Sequence, residues 1–222
     1  MRPDSSPDKS KDESHADSRS EELPELLTWE QAREQAGEPS ATRANPSTPR
    51  VNPFVGDDVA VILREHGWLA DSPESISPPQ LAWCERAAFL LGAQVSDRAQ
   101  LAELLGLVFH YDAAEVLAKV EAHLVMSRYA ARDVLRRFAL ELLDDAPLTP
   151  ERFSAIITAM KDTMEPRGRE LFHPIRLALT GRSGEGALDR VLLLLDNAAA
   201  AGFVVPVKSA RTRILEFCSV FE

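Results

Sequence analysis

Residues 167–195, RGRELFHPIRLALTGRSGEGALDRVLLLL, constrain the fold more than any other stretch. A basic lead-in with Arg167 and Arg169 precedes an apolar run interrupted once by Pro174. Thr180-Gly181 then reads as a helix stop, because glycine takes the left-handed conformation that ends a helix at no steric cost. Gly184 and Gly186 mark a loop, and a second apolar run follows. The order predicts a helix, a short loop and a second helix.

The rest of the chain repeats the helical pattern. Val59, Val61, Ile62 and Trp68 suit a helix over 57–69 that Gly67 ends. Ser77 before Pro78 is a good start signal, since the hydroxyl accepts an early amide and proline lacks the donor that would be orphaned there. The helix it opens, 80–91, should bury Leu81, Cys84, Ala88 and Leu91. Ser96 is expected to open a helix through Leu101, Leu104, Leu105 and Val108 to an aromatic-acidic corner, Phe109-His110-Tyr111-Asp112. Asp112, with Glu115 three residues on, has capping-box spacing and predicts a helix through Val116, Leu117, Val120 and Leu124. Val134, Leu135, Phe138 and Leu142 then share one side of a helix over 129–143, which Pro147 closes off. Thr149-Pro150-Glu151 starts the next, through Phe153, Ile156, Ile157 and Met160. Residues 203–207 are β-prone but short, and 208–222 suit a last helix through Ile214, Leu215, Phe217 and Val220. With no alternating pattern of useful length elsewhere, the expected class is all-α, a helical bundle with short antiparallel connections.

Three regions are expected. Residues 1–53, rich in Ser, Pro, Asp and Glu, cannot bury enough apolar area to offset the entropy of ordering and read as a disordered tail. Within it, 23–35 carries Leu26, Leu27, Trp29 and Ala32 and reads as either a docking peptide for a protein partner or a transient helix. Residues 54–146 and 147–222 are expected to form two helical subdomains.

Charge argues against a uniformly nucleic-acid-binding surface. The net charge is −10, distributed as about −4 before Val51, about −7 over 51–150 and about +1 over 151–222. Only the last third is locally suited to phosphate. Cys84 and Cys218 lie far apart without a C-x-x-C pairing and read as structural thiols. No apolar run is long enough for a membrane span, and the N-terminus lacks an apolar leader, so a soluble, cytoplasmic protein with no membrane partner is expected.

The segment Pro174-Ile175-Arg176-Leu177-Ala178-Leu179-Thr180-Gly181 resembles the P-[LIV]-R-x-A-[LV]-T-G signature near the C-terminus of bacterial glutamyl-tRNA synthetases. The upstream helices, the aromatic-acidic corner and the Leu-Thr-Pro-Glu start follow the same order, so the resemblance spans roughly 59–200. It implies the all-helical anticodon-binding cage of these class I enzymes, without their catalytic half. The His-x-Gly-His motif of that half is not found. Val125-Met126-Ser127-Arg128 lacks the leading lysine of the Lys-Met-Ser-Lys motif and falls on an expected helix. No catalytic residue, metal-ligating set or cofactor is therefore expected, and the chain should not be an enzyme.

The resemblance also implies site residues. Its signature arginine corresponds to Arg176, its recognition loop to 181–186 and the leucine opening the next helix to Leu188. A guanidinium can fork to base edges or stack on an unpaired base. The expected RNA-binding set is Arg167, Arg169, Arg176, Thr180, Gly181, Arg182, Glu185 and Leu188. The rival reading of Arg176 is a structural ion pair with a neighbouring carboxylate such as Glu170. Glu185 places a carboxylate where the family commonly has a hydroxyl. Three functions remain open: a stand-alone anticodon-binding-domain-like protein that binds tRNA, glutamate-specific or otherwise, or another RNA; a protein-interaction or regulatory module that kept the fold but lost RNA binding; and one part of a split synthetase.

Overall fold

The computed structural model describes residues 52–72, 76–144, 146–184 and 187–221. The expectations for the tail before Asn52, and for Glu185 and Gly186, lie outside the described residues. The chain divides into two units, 1–48 and 49–222, and the described residues all belong to the second.

That unit is all-helical. Its helices are α1 (Gly56–Glu65), α2 (Pro78–Leu91), α3 (Arg98–Phe109), α4 (Ala113–Leu117), α5 (Val120–Met126), α6 (Ala131–Glu141), α7 (Pro150–Thr163), α8 (Arg169–Thr180), α9 (Leu188–Leu192), α10 (Leu195–Ala201) and α11 (Ala210–Phe221), with a 3-10 turn at Gly92–Gln94. No strand is assigned among the described residues, and the β-prone 203–207 stretch is an irregular connection instead. Its Phe203 is buried edge-on against Trp83 and Phe109, centroids 5.1 Å away in each case. Those side-chain contacts anchor it without a pairing strand.

Start signals act as the residues dictate. Asp112 Oδ1 accepts from the Glu115 amide at 2.9 Å, and Thr149 Oγ1 from the Arg152 amide at 3.2 Å. At α2 the Ser77 amide donates to Gln80 Oε1 at 2.9 Å. One start moves by a residue: Asp97, not Ser96, caps α3, its Oδ1 accepting from Gln100 N at 2.9 Å. A carboxylate is a strong cap because it also meets the positive end of the helix dipole. The single helix expected from Asp112 breaks at Ala118 into α4 and α5. Beyond the break Val120 and Leu124 stand 75% and 65% exposed. Leu81 is likewise partly exposed, and the buried face of α2 centres on Trp83, whose Nε1 donates to Leu194 O at 3.0 Å.

Helix α8 is the hub, packing against α4, α5, α6, α9 and α11. Every residue from Pro174 to Thr180 is buried, as expected of a helix covered on all sides. Pro174 cannot donate to the Glu170 carbonyl, but Glu170 is exposed, so water can satisfy that acceptor.

The deepest polar group is Arg213 on α11, fully buried. Its Nη1 donates to Leu107 O at 2.8 Å and Leu179 O at 2.7 Å, its Nη2 to Val108 O and its Nε to Lys208 O at 3.1 Å. The guanidinium carbon also sits 4.6 Å from the Tyr111 ring centroid. One cation thus gathers the C-terminal carbonyls of α3 and α8, where helix dipoles favour positive charge. Burial lowers its pKa to about 10, with Tyr111, Glu216 and Asp196 opposing, so it remains charged at neutral pH.

Replacing Arg213 with Met should leave several buried carbonyls without a donor, each costing about 1–3 kcal/mol. The expected loss is at least about 3 kcal/mol in urea unfolding, with Arg213→Lys recovering only part because one ammonium cannot span both helix ends. An unfolding midpoint like the wild type's for Arg213→Met would refute this role.

Candidate nucleic-acid interface

Glycine and threonine chemistry shapes the loop after α8. Gly181 has φ 72°, and its amide donates to Leu177 O at 2.8 Å, ending the helix in a left-handed cap. A Cβ there would lie 2.9 Å from Val116 Cγ2, so the position is closed to larger residues by space as well as by backbone. Thr180, buried, bonds back to Arg176 O at 2.8 Å and accepts from the Arg182 amide at 3.3 Å. Ser183 then docks the loop on α5, donating to Glu121 Oε1 from its amide at 2.7 Å and from its hydroxyl at 2.5 Å. Burial raises the Glu121 carboxyl, but the two Ser183 donors, aided by Lys119 and Arg182, outweigh it and hold the group below the usual carboxylate range.

Arg176 points into this loop rather than out of it. Its side chain is 10% exposed and grips Asp189 with both prongs, Nε to Oδ1 and Nη2 to Oδ2, each at 2.7 Å. Nη1 donates to Gly184 O at 3.1 Å, and the Phe172 ring lies 5.2 Å from the guanidinium carbon. The carboxylate partner is therefore Asp189 on α9, not Glu170. Six residues apart on a helix is about 240° of rotation, so Glu170 projects from a different side of α8. The fork–fork geometry occupies the donors that a base edge would otherwise engage.

The other expected site residues fall into two groups about 18 Å apart, the length of a twelve-residue helix. At the N-terminal end of α8, Arg169 is exposed, whereas Arg167 reaches back to the carbonyls of Lys161, Met164 and Pro166 and closes the end of α7. At the other end, Thr180, Gly181, Arg182 and Leu188 come together. Leu188 is buried and, with Gly184, Arg182 and Lys119, lines a groove of about 500 Å³. A second groove of about 540 Å³ shares Lys119, Gly181 and Arg182 and extends to His110 and Tyr111. Arg182 is half-exposed and sits 3.7 Å from Glu103, an open contact that solvent screens.

Sequence reasoning missed Lys119, exposed at the junction of both grooves. Its signal was a cation just before an apolar run that was expected to be buried. Of Val125-Met126-Ser127-Arg128, the first two residues close α5, Ser127 caps it and Arg128 follows. Among the described residues no cluster of three or more His, Cys, Asp or Glu could hold a metal ion. No helix among them is long and apolar enough to cross a membrane.

Because Glu121 titrates below its ordinary range when folded, its contribution to loop docking should be complete above the unfolded value and lost as pH falls through the lowered folded value. Comparing wild type with Glu121→Gln by urea unfolding, the stability gap should be widest near neutral pH and shrink from about pH 4.5 downward. A gap that widened on acidification would show the sign to be wrong.

A family model described as "Anticodon binding domain" matches residues 50–198. Among curated proteins, the glutamate–tRNA ligase of Bacillus velezensis is 30% identical over 125 residues, 56% of this chain and 25% of the ligase. That of Geobacillus stearothermophilus is 31% identical over 123 residues, 55% of this chain and 24% of the ligase. The chain thus spans about a quarter of the length of the curated relatives it matches. No solved structure matches it significantly. With two thirds of its residues covered by the family model and an all-helical fold built around the signature helix, the chain belongs to the anticodon-binding-domain family.

Proposed function

We propose that this chain binds tRNA through the grooves beside the α8–α9 loop, acting as a recognition module without aminoacylation chemistry of its own. The observation that carries the reading is the coincidence of the family match with an open groove floored by Leu188 and edged by Arg182 and Lys119. Glutamate-class tRNA is the first substrate to test, because the similar ligases are glutamate–tRNA ligases. In this reading Arg182, with Arg169 at the far end of α8, makes phosphate contacts. Arg176 holds the loop in shape through Asp189.

A second reading has its own support. The signature arginine is engaged internally, and Glu103, Asp112 and Glu115 line the second groove, a composition that suits a protein partner better than phosphate. Salt separates the two, since neutralising phosphates releases counterions and makes affinity fall steeply with ionic strength.

In a titration against glutamate-class and unrelated tRNA at several salt concentrations, Arg182→Ala should weaken binding and flatten the salt slope by about one. Arg176→Ala should instead lower stability by about 2 kcal/mol while changing the affinity of the folded protein little. No binding at micromolar protein, or binding indifferent to salt, would favour the protein-interaction reading. The purified chain should show no pyrophosphate exchange into ATP, and exchange above background would overturn the non-catalytic assignment.

A further inference from the structure

Helix α5 lies antiparallel beside α8. At one end Lys119 Nζ would stand 3.9 Å from a Cβ on Gly181, and at the other Arg128 Nη1 meets His173 Nδ1 at 3.4 Å. Between these cations the outer face of α5 shows Val120 and Leu124, 75% and 65% exposed, and just beyond stands Tyr129, 99% exposed. A tyrosine this open contributes nothing to the core. Neither Lys119 nor Arg128 has a carboxylate at ion-pair distance among the described residues. Glu121, the acid on α5 itself, bonds Ser183 and lines the loop groove beside Lys119, leaving the outer face without a carboxylate of α5. The result is a strip of two cations with apolar side chains between them and a tyrosine just beyond, continuous with the loop groove through Lys119.

Resting on the tRNA-binding reading, we propose that the outer face of α5 is a second RNA contact that takes an unpaired strand, Lys119 and Arg128 neutralising phosphates while Tyr129 stacks a base. Positive charge tracking the backbone and an aromatic platform for bases are the two elements of sequence-tolerant single-strand binding. Affinity at this face does not require Arg176 to leave Asp189. The seam from residue 173 to 181 is about 12 Å long, room for two or three nucleotides rather than a helical turn of duplex.

The test is fluorescence anisotropy with the full chain and three probes: a glutamate-class anticodon stem-loop, a twelve-nucleotide oligouridine and a blunt RNA duplex of equal length. Arg128→Glu, at a position outside both grooves, should weaken stem-loop and oligouridine binding severalfold at low salt. Tyr129→Ala should weaken both single-strand-containing probes by about tenfold and leave the duplex unaffected. Both variants change exposed side chains, and an unaltered melting temperature verifies their folding. A charge-reversed variant that binds the stem-loop like wild type would overturn the proposal, leave tRNA binding itself standing and return the Val120–Leu124 ridge to a protein partner. Wild type that binds none of the three probes would overturn both readings together.

Discussion

Helix C-termini present unpaired carbonyls with partial negative charge, and this chain closes them with arginine. Arg213 does so for α3 and α8 at once, fully buried. Arg152 bonds the Glu141 carbonyl at the end of α6, Arg167 closes α7, and Arg190 donates to Leu90 O at the end of α2 at 3.1 Å. The bundle has many short helices, so it has many such ends, and each would be costly inside a core without a donor. A guanidinium suits the task because its donors diverge in a plane and can reach two chain segments together. Arg213 decides the position of α8 in particular, and α8 positions every other part of the candidate interface.

This use of arginine changes what the charge distribution means. The last third of the sequence looks locally basic, as an RNA-binding face would. Yet Arg152, Arg167, Arg190 and Arg213 are engaged with backbone, and Arg176 with Asp189 and Gly184. What remains exposed in the last third is a smaller set, Lys161, Arg169 and Arg182, to which Lys119 and Arg128 add at the two ends of α5. Charge counted along a sequence overstates the surface available to phosphate whenever side chains do internal capping.

Much of the architecture was legible beforehand because it is local. Asp112 with Glu115, Thr149 with Pro150, and Thr180-Gly181 specify helix boundaries within four residues, and the structure uses each of them. What was not legible is long-range. Arg213 bonds carbonyls of Val108 and Leu179, and carbonyls leave no mark in a sequence. Asp189 faces Arg176 only because the loop folds α9 back onto α8, whereas Glu170, nearer in sequence, lies on another side. One helix was read through Val116, Leu117, Val120 and Leu124 where two exist, parted at Ala118.

Arg176 of the signature fastens the loop to Asp189 and Gly184, and on the proposed reading contact with RNA falls to residues outside the signature. Amide hydrogen exchange of the chain with and without a glutamate-class tRNA anticodon stem-loop tests this most directly. The account predicts added protection along 119–129 and 181–184, with the outer surface of α1 and α2 unchanged. Protection confined to α1 and α2, or absent at saturating RNA, would contradict it.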